Sequence, residues 1–431
     1  KHQTTFQNSK QSEIAFRAFF FHPDFTVGPG VSPDHAHAEK RHNEAMNRIG
    51  LNSNMLVVLK MTRDNTIYVL RKNRVQLQVL DNLYNFLHSF VIRRFKPRAD
   101  FCYALFGHRV DKHPLVQQAD AIYLHWINAS TLSIHGIERL LKTGKPIFWY
   151  MHDMYPLTGG CHYAFQCTKY ETECVDCETL QHCKWGDIAQ KQFRQKLKHW
   201  TKYSNLKVVT PSEWLASCAR NSTLFRGHEV FVCPNVLDTD KYKPLDKKNA
   251  KELFGLNSNK KTILFGAVNV NSPYKGWEYL KECIRKLDKD KYECLVFGYV
   301  DEKPFEGLDI DVHFTSYLSD DYSMILVYNA SDVFVSSSLA DNYPNVIVEA
   351  MSCGVPCVGF DIGGIPDLIK HEITGYLAKY KKSSDLTKGI EWIFEDASRY
   401  HQLTLNARNF IVNHCSYGKV LTLHRELGNI Q

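Results

Sequence analysis

The chain has 431 residues, 44% of them hydrophobic, and its 53 Lys and Arg against 46 Asp and Glu give a formal charge of +7. That length holds about two to three domains, and the apolar fraction excludes a disordered or collagen-like chain. No apolar run reaches the roughly 18 residues of a membrane span, the N-terminus carries no charged-then-apolar signal pattern, and +7 is too small for a histone-like nucleic-acid binder, although it suits a protein that handles phosphates or works near an anionic membrane.

In chain order, residues 14–21 read either as a first strand or as an irregular arm, with Gly28-Pro29-Gly30 as a loop before a helix over about 35–48. Short β-rich runs then alternate with amphipathic helical stretches, the pattern of parallel sheets covered on both faces. Strands are expected at 54–59, 121–126, 147–151 and 206–210 in a first α/β unit, and at 262–268, 293–297, 332–336 and 357–360 in a second. Cys233-Pro234-Asn235 and the polar stretch over 238–251 read as the linker between them. The domains expected are 1–235 with a Cys-rich insertion at about 159–184, then 236–410, and a C-terminal helix over 411–431 that packs back on the first domain.

The most informative segment runs Ser336-Ser337-Ser338-Leu339-Ala340-Asp341-Asn342-Tyr343-Pro344-Asn345-Val346-Ile347-Val348-Glu349-Ala350-Met351-Ser352-Cys353-Gly354-Val355-Pro356. A β-rich run ends in hydroxyl residues, a polar turn follows, and Pro344 is expected at the first helical position, where a missing N–H costs nothing. The helix N-terminus then offers free N–H groups and the positive end of its dipole to a phosphate at the carboxyl edge of a parallel sheet. Glu349 inside the helix can accept from vicinal sugar hydroxyls; equally, it can be a solvated carboxylate.

This segment resembles the signature of family 4 retaining nucleotide-sugar glycosyltransferases. The resemblance implies the α/β GT-B fold, two Rossmann-like doubly wound domains facing across a cleft. In that family an acidic residue, seven residues and a Glu precede Ala-Met and a Gly-x-Pro turn; here the pair is Asp341 and Glu349, with Asp where Glu is usual. The resemblance implies that Asp341 contacts the transferred sugar and Glu349 the nucleotide ribose, while Asn342, Tyr343, Pro344, Asn345 and Val346 form the turn over the donor. Gly363-Gly364 matches the family's second glycine turn, and Lys275-Gly276, after the loop from Gly266, matches its phosphate-binding Lys. The Arg often found in that loop is absent. His152, just past the expected strand at 147–151, resembles the family's cleft His that touches the donor sugar. His125 ends the neighbouring strand in the same way, and lines the acceptor side or is structural.

Thirteen cysteines in a chain of this size imply mostly free thiols in a reducing cytosol. The exception is the group Cys161, Cys167, Cys174 and Cys177, whose Cys-Val-Asp-Cys ending is a ligand knuckle of the zinc-site kind. Structural zinc, free thiols and disulfides stay open, and His162, His182 or Cys183 could replace a ligand. Between residues 184 and 202 lie six basic residues and one acid, with Phe193, Leu197 and Trp200 at helical spacing. That is either a membrane-surface face or a helix with its apolar side in the core; Arg93-Arg94-Phe95-Lys96-Pro97-Arg98 is a second basic run.

The function expected is therefore a cytoplasmic retaining glycosyltransferase, either free or at the inner face of the membrane. It would move a sugar from a UDP- or GDP-sugar to a glycan or lipid-linked glycan in surface-polysaccharide assembly. No catalytic metal is expected, since no Asp-x-Asp stands where one would bridge the phosphates, and no nucleic-acid partner. A catalytically silent sugar-nucleotide or glycan-binding module and a sugar-nucleotide epimerase of the same fold are the alternatives.

Overall fold

The computed structural model describes residues 19–20, 37–58, 60, 63–70, 74–128, 131–181, 186–269, 273–299, 305–315, 318, 320–420 and 422. The first unit contains β1 (Phe19–Phe20), α1 (His37–Arg48), β2 (Met55–Val57), β3 (Ile67–Val69), α2 (Arg74–Phe95), α3 (Pro114–Gln118), β4 (Ile122–His125) and α4 (Ile134–Leu141). It continues through β5 (Ile147–Tyr150), α5 (Ile188–Trp200), β6 (Leu206–Thr210), α6 (Glu213–Asn221) and β7 (Val230–Val232). A parallel sheet runs β1-β4-β5-β6-β7, with β2 and β3 paired apart from it. Every residue of β4 and β5 is buried, which is why both read as unbroken apolar runs: a parallel sheet is covered on its two faces. Ser133, Asp187 and Ser212 start α4, α5 and α6 by accepting from backbone N–H groups of the first turn, as capping side chains do.

The second unit contains α7 (Lys247–Leu253), β8 (Lys261–Asn269), α8 (Trp277–Ile284), β9 (Tyr292–Tyr299), β10 (Val312–Phe314), α9 (Asp321–Asn329), β11 (Val333–Ser336) and α10 (Asn345–Ser352). β12 (Cys357–Phe360), α11 (Ile365–Leu368), β13 (Gly375–Ala378), α12 (Ser383–Phe394) and α13 (Ala397–Cys415) complete it. Its parallel sheet is ordered β10-β9-β8-β11-β12-β13. Strand order reverses between β8 and β11, so a crevice opens at their carboxyl ends, the place where open α/β sheets take ligands.

The expected strands at 206–210 and 357–360 hold residue for residue. Of the expected strand at 54–59, Met55–Val57 is a strand that pairs with β3, outside the main sheet. Of residues 14–21 only Phe19 and Phe20 are described, paired in parallel with β4. Strands β7, β10 and β13 carry no clear sequence signal because they are short edge strands, and β7 and β10 are only half-buried. Part of the expected linker is helical: Asp246 caps α7, which turns Ala250 and Lys251 inward.

After α13 the chain returns to the first unit. The Leu237 N–H donates to the Cys415 carbonyl at 2.8 Å, and Val420 joins a core cluster with Ala45, Tyr123, Phe148 and Tyr150. Among the described residues no helix is long and apolar enough to cross a membrane.

Candidate active site

The crevice between β8 and β11 holds most of the signature. A turn over 273–275 follows β8, and Gly276 enters the left-handed region at φ 61° before α8. A Cβ there would lie 2.1 Å from the Ser337 carbonyl oxygen, so only glycine lets the two loops touch. The loops are tied by Ser337 Oγ donating to the Lys275 carbonyl at 2.7 Å and Leu339 N–H to the Tyr274 carbonyl at 2.6 Å. Lys275 Nζ thereby sits 3.0 Å from Asp341 Oδ2, with the carboxylate the more buried partner. A shallow recess opens beside this pair, lined by Gly266, Lys275, Trp277, Ser337, Ser338 and Val346.

The second glycine turn lies directly on the Asp341-Asn342 backbone. Gly364 N–H donates to the Asp341 carbonyl at 3.1 Å, and a Cβ on Gly364 would come within 1.7 Å of the Asn342 carbonyl oxygen. Gly266 is needed for a different reason, since a Cβ there would meet the Phe297 ring at 2.5 Å. Pro344 stands one place earlier than expected: it is the N-cap of α10, with extended ψ of 117°, and Asn345 is the first helical residue. Tyr343 points into the core, its hydroxyl 3.3 Å from Cys415 Sγ.

Asn342 and Asn345 reach other partners than the turn alone would suggest. Asn342 Nδ2 donates to the His152 carbonyl at 3.1 Å, and its Oδ1 accepts from Ser212 Oγ, so this side chain straps the two units together. Asn345 Oδ1 accepts from Asn235 Nδ2 at 3.0 Å. Glu349 is buried with both oxygens taken: Arg41 Nη1 lies 2.7 Å from Oε1, and Tyr328 donates to Oε2 at 2.7 Å. Arg41 also donates to the Tyr242 hydroxyl at 2.9 Å and lies 3.5 Å from Asp321. Burial alone would lower the Arg41 pKa, but the Glu349, Tyr242 and Asp321 charges more than offset it and raise it.

Across the crevice, His152 leaves the end of β5 and lies against His125, at the end of β4. Nε2 of His152 is 2.9 Å from His125 Nδ1 and 3.6 Å from Glu39 Oε1; His42 Nδ1 is 3.3 Å from His125 Nε2. Burial lowers the His152 pKa to about 4 and raises Glu39 to about 7, because each charged form is poorly solvated there. Among the described residues, no hydrogen-bond partner reaches the buried Glu39 Oε2. The adjacent Asp153 accepts from Trp126 Nε1 at 3.0 Å and pairs with His162 at 2.7 Å, which fixes the segment that carries His152.

The four candidate zinc cysteines are all partly exposed and free. Cys161 and Cys177 share a hydrogen bond that holds Cys161 protonated and lowers Cys177 to about 6, while Cys174 Sγ accepts from the Gly159 N–H at 3.2 Å. Among the described residues, the groups that bring three ligand atoms within 4.8 Å of one another are Glu39–His125–His152 and His135–Glu138–His199. The four thiols are not such a group; His182 and Cys183 lie outside the described residues. The loop they occupy forms the mouth of the crevice, where Phe165 stacks on Tyr274 at 5.6 Å.

The basic helix packs in favour of the reading that puts its apolar side in the core. Phe193 and Trp200 of α5 are wholly buried, and so is Lys196, which donates to the Tyr155 and Thr158 carbonyls. Two of the three apolar anchors of α5 thus belong to the core, while Leu197 is exposed. Sequence reasoning also missed Glu39, Arg41 and His42. They lie on α1 in a polar stretch without a motif, and only the sheet topology brings α1 to the crevice.

A cation beside a helix N-terminus and an open recess, at a sheet's switch point, is an anion-binding arrangement. Comparisons with known proteins agree in kind. Residues 247–410 match the family model described as glycosyl transferases group 1. An uncharacterized glycosyltransferase of Haemophilus influenzae is 27% identical over 323 residues, covering 68% of this chain and 89% of its own. The N,N'-diacetylbacillosaminyl-diphospho-undecaprenol alpha-1,3-N-acetylgalactosaminyltransferase of Campylobacter jejuni is 31% identical over 164 residues, 36% of this chain and 42% of its own. The chain spans 46%, 26% and 50% of three further curated relatives. The crystal structure of the Anabaena protein HepE in complex with UDP superposes with a TM-score of 0.60 at 15% identity, covering 96% of this chain and 98% of HepE.

Proposed function

From the premise that this chain belongs to the group 1 glycosyl transferases and has their GT-B fold, we propose that it transfers a sugar, with retention of configuration, from a nucleotide diphosphate to a glycan or lipid-linked glycan. The UDP in HepE supports a UDP-sugar donor, with a GDP-sugar as the alternative base, and the Campylobacter relative supports an acceptor of the diphospho-undecaprenol kind. The reaction proposed belongs to surface-polysaccharide assembly, at the cytoplasmic side of a membrane.

In this reading the bond from the anomeric carbon to the diphosphate breaks as the acceptor oxygen attacks from the same face. Negative charge grows on the departing phosphate, which takes the acceptor proton. Lys275 and the N–H groups at the start of α10 stabilise that charge, an effect strongest where water is excluded. Asp341 and the neutral His152 hold the sugar, and the backbone of Gly266, Gly363 and Gly364 shapes its cradle. Glu349 takes the ribose hydroxyls only after Arg41 leaves Oε1. No step needs a metal, and the cysteine loop forms the acceptor-side wall.

The placement of Lys275 3.0 Å from Asp341, beside the recess and α10, carries this reading. Lys275→Ala should lower nucleotide release from the donor about a hundredfold or more without moving the thermal midpoint; turnover at the wild-type rate would overturn it. One observation favours a silent binding module instead, namely that Glu349 is already occupied by Arg41 and Tyr328. That reading gains if donor sugars raise the thermal midpoint of the wild-type protein while no nucleotide is released with any acceptor.

A further inference from the structure

Helix α2 has two apolar faces, and the described residues cover only one. Leu77, His88 and Phe95 are buried, and Val91 and Ile92 pack towards Phe101 and Leu180 at the base of the cysteine loop. Val75, Val79, Leu83, Phe86 and Phe90 recur at helical spacing on the other side and are 47% to 72% exposed. A helix that is apolar all round is ordinarily buried all round, and five large side chains in one stripe differ from the scattered apolar residues normal on a surface.

Charge indicates what covers the stripe. Its C-terminal end runs into Arg93, Arg94, Lys96 and Arg98, all exposed. The sole acid of α2, Asp81, is partly buried and turned to His108 at 3.4 Å, so the open face carries no negative charge. An apolar stripe bounded by cations and free of acids is complementary to an anionic lipid surface, which takes the ring side chains into the acyl boundary and the guanidinium groups at the phosphates. We infer that α2 lies on an anionic bilayer through Val75, Val79, Leu83, Phe86 and Phe90, with the basic run at its end against the lipid phosphates.

The position suits the function proposed above, on which only the purpose of this contact rests. Asp100, shortly beyond α2, donates its N–H to the Tyr274 hydroxyl at 2.5 Å, and Tyr274 directly precedes Lys275. A membrane under α2 therefore lies next to the mouth of the crevice, where a lipid-linked acceptor would enter.

Flotation of the full chain with vesicles tests the surface without any sugar donor. Binding should be strong to phosphatidylglycerol mixed with phosphatidylcholine, weak to phosphatidylcholine alone, and lost at high salt. The double variant Phe86→Glu/Phe90→Glu should bind at least about tenfold more weakly, whereas Leu253→Glu, at an equally exposed apolar residue on α7, should bind as wild type does. Equal binding by wild type and the double variant would overturn the inference. So would a wild-type dimer that the double variant dissolves while neither binds vesicles, since a second copy would then be the occupant. Nucleotide release from the donor in solution should be unchanged in the double variant, so a wild-type protein that binds vesicles but releases no nucleotide would sink the proposed reaction and leave the surface standing.

Discussion

Gly364 is the residue on which the geometry of the crevice depends most directly. An added methyl would stand 1.7 Å from the Asn342 carbonyl oxygen, which is backbone and can yield only by moving the turn that carries Asp341. The same turn holds the Asn342 strap to the His152 carbonyl. Gly364→Ala should therefore cost about 3 kcal/mol of stability, read as a lower urea midpoint, and should weaken donor binding as well. Gly227, which has open space around it, is the control: Gly227→Ala should change neither. Both glycine turns were legible in the sequence as part of a motif. Glu39, Arg41 and His42 were not, because their meaning comes from partners more than eighty residues away, such as His125 and Glu349.

At the scale of elements, legibility follows burial. Strands β4, β5 and β11 are buried along their whole length and announce themselves as apolar runs, whereas β7 and β10 sit at sheet edges, half-buried and only three residues long. Helices α2 and α5 show the limit of pattern reading in opposite directions. α5 is rich in cations yet folds one of them, Lys196, wholly inside, where two carbonyls replace its water. α2 spreads as many charges over a longer helix and keeps its apolar stripe outside. Only the packing of the rest of the fold decides which face of a helix meets solvent. The cysteine loop is a further case: its knuckle spacing proposes zinc on Cys161, Cys167, Cys174 and Cys177, and a metal would require Cys167 and Cys174 to close on the Cys161–Cys177 pair. One zinc per folded chain in elemental analysis is the outcome expected of that proposal, and a folded, active protein with only trace zinc would remove it.

At the scale of the whole molecule, polar contacts tie the two units together: Asn342 with His152 and Ser212, Asn235 with Asn345, and Arg41 with Glu349 and Asp321. Burial would raise the Asp321 carboxyl, but hydrogen bonds from Lys241 and Tyr242 and the charge of Arg41 bring it down to about 2. A carboxyl whose pKa is depressed by folding stabilises above its unfolded value and loses that contribution as pH falls through the folded one. The stability gap between wild type and Asp321→Asn should accordingly be full above pH 3.8 and vanish towards about pH 2; a gap independent of pH would show that Asp321 is not charged in the fold. Arg41 is the common member of this group, and breaking its buried pair with Glu349 leaves a carboxylate with one hydrogen bond. Arg41→Ala is expected to cost about 3–5 kcal/mol, measured by denaturant unfolding.

The Arg41–Glu349 contact also makes two quantities interdependent. In the ribose-binding role proposed for Glu349, a donor hydroxyl that takes Oε1 must evict the Arg41 guanidinium of the opposite domain, which couples occupancy of the nucleotide site to the opening of the cleft. By reciprocity, whatever factor the donor imposes on the opening of the cleft, an agent that opens the cleft imposes on donor affinity. Anything that pulls on α1 from the first domain, including whatever binds the acceptor side, would then be felt at the ribose as a change in affinity rather than as a change in shape.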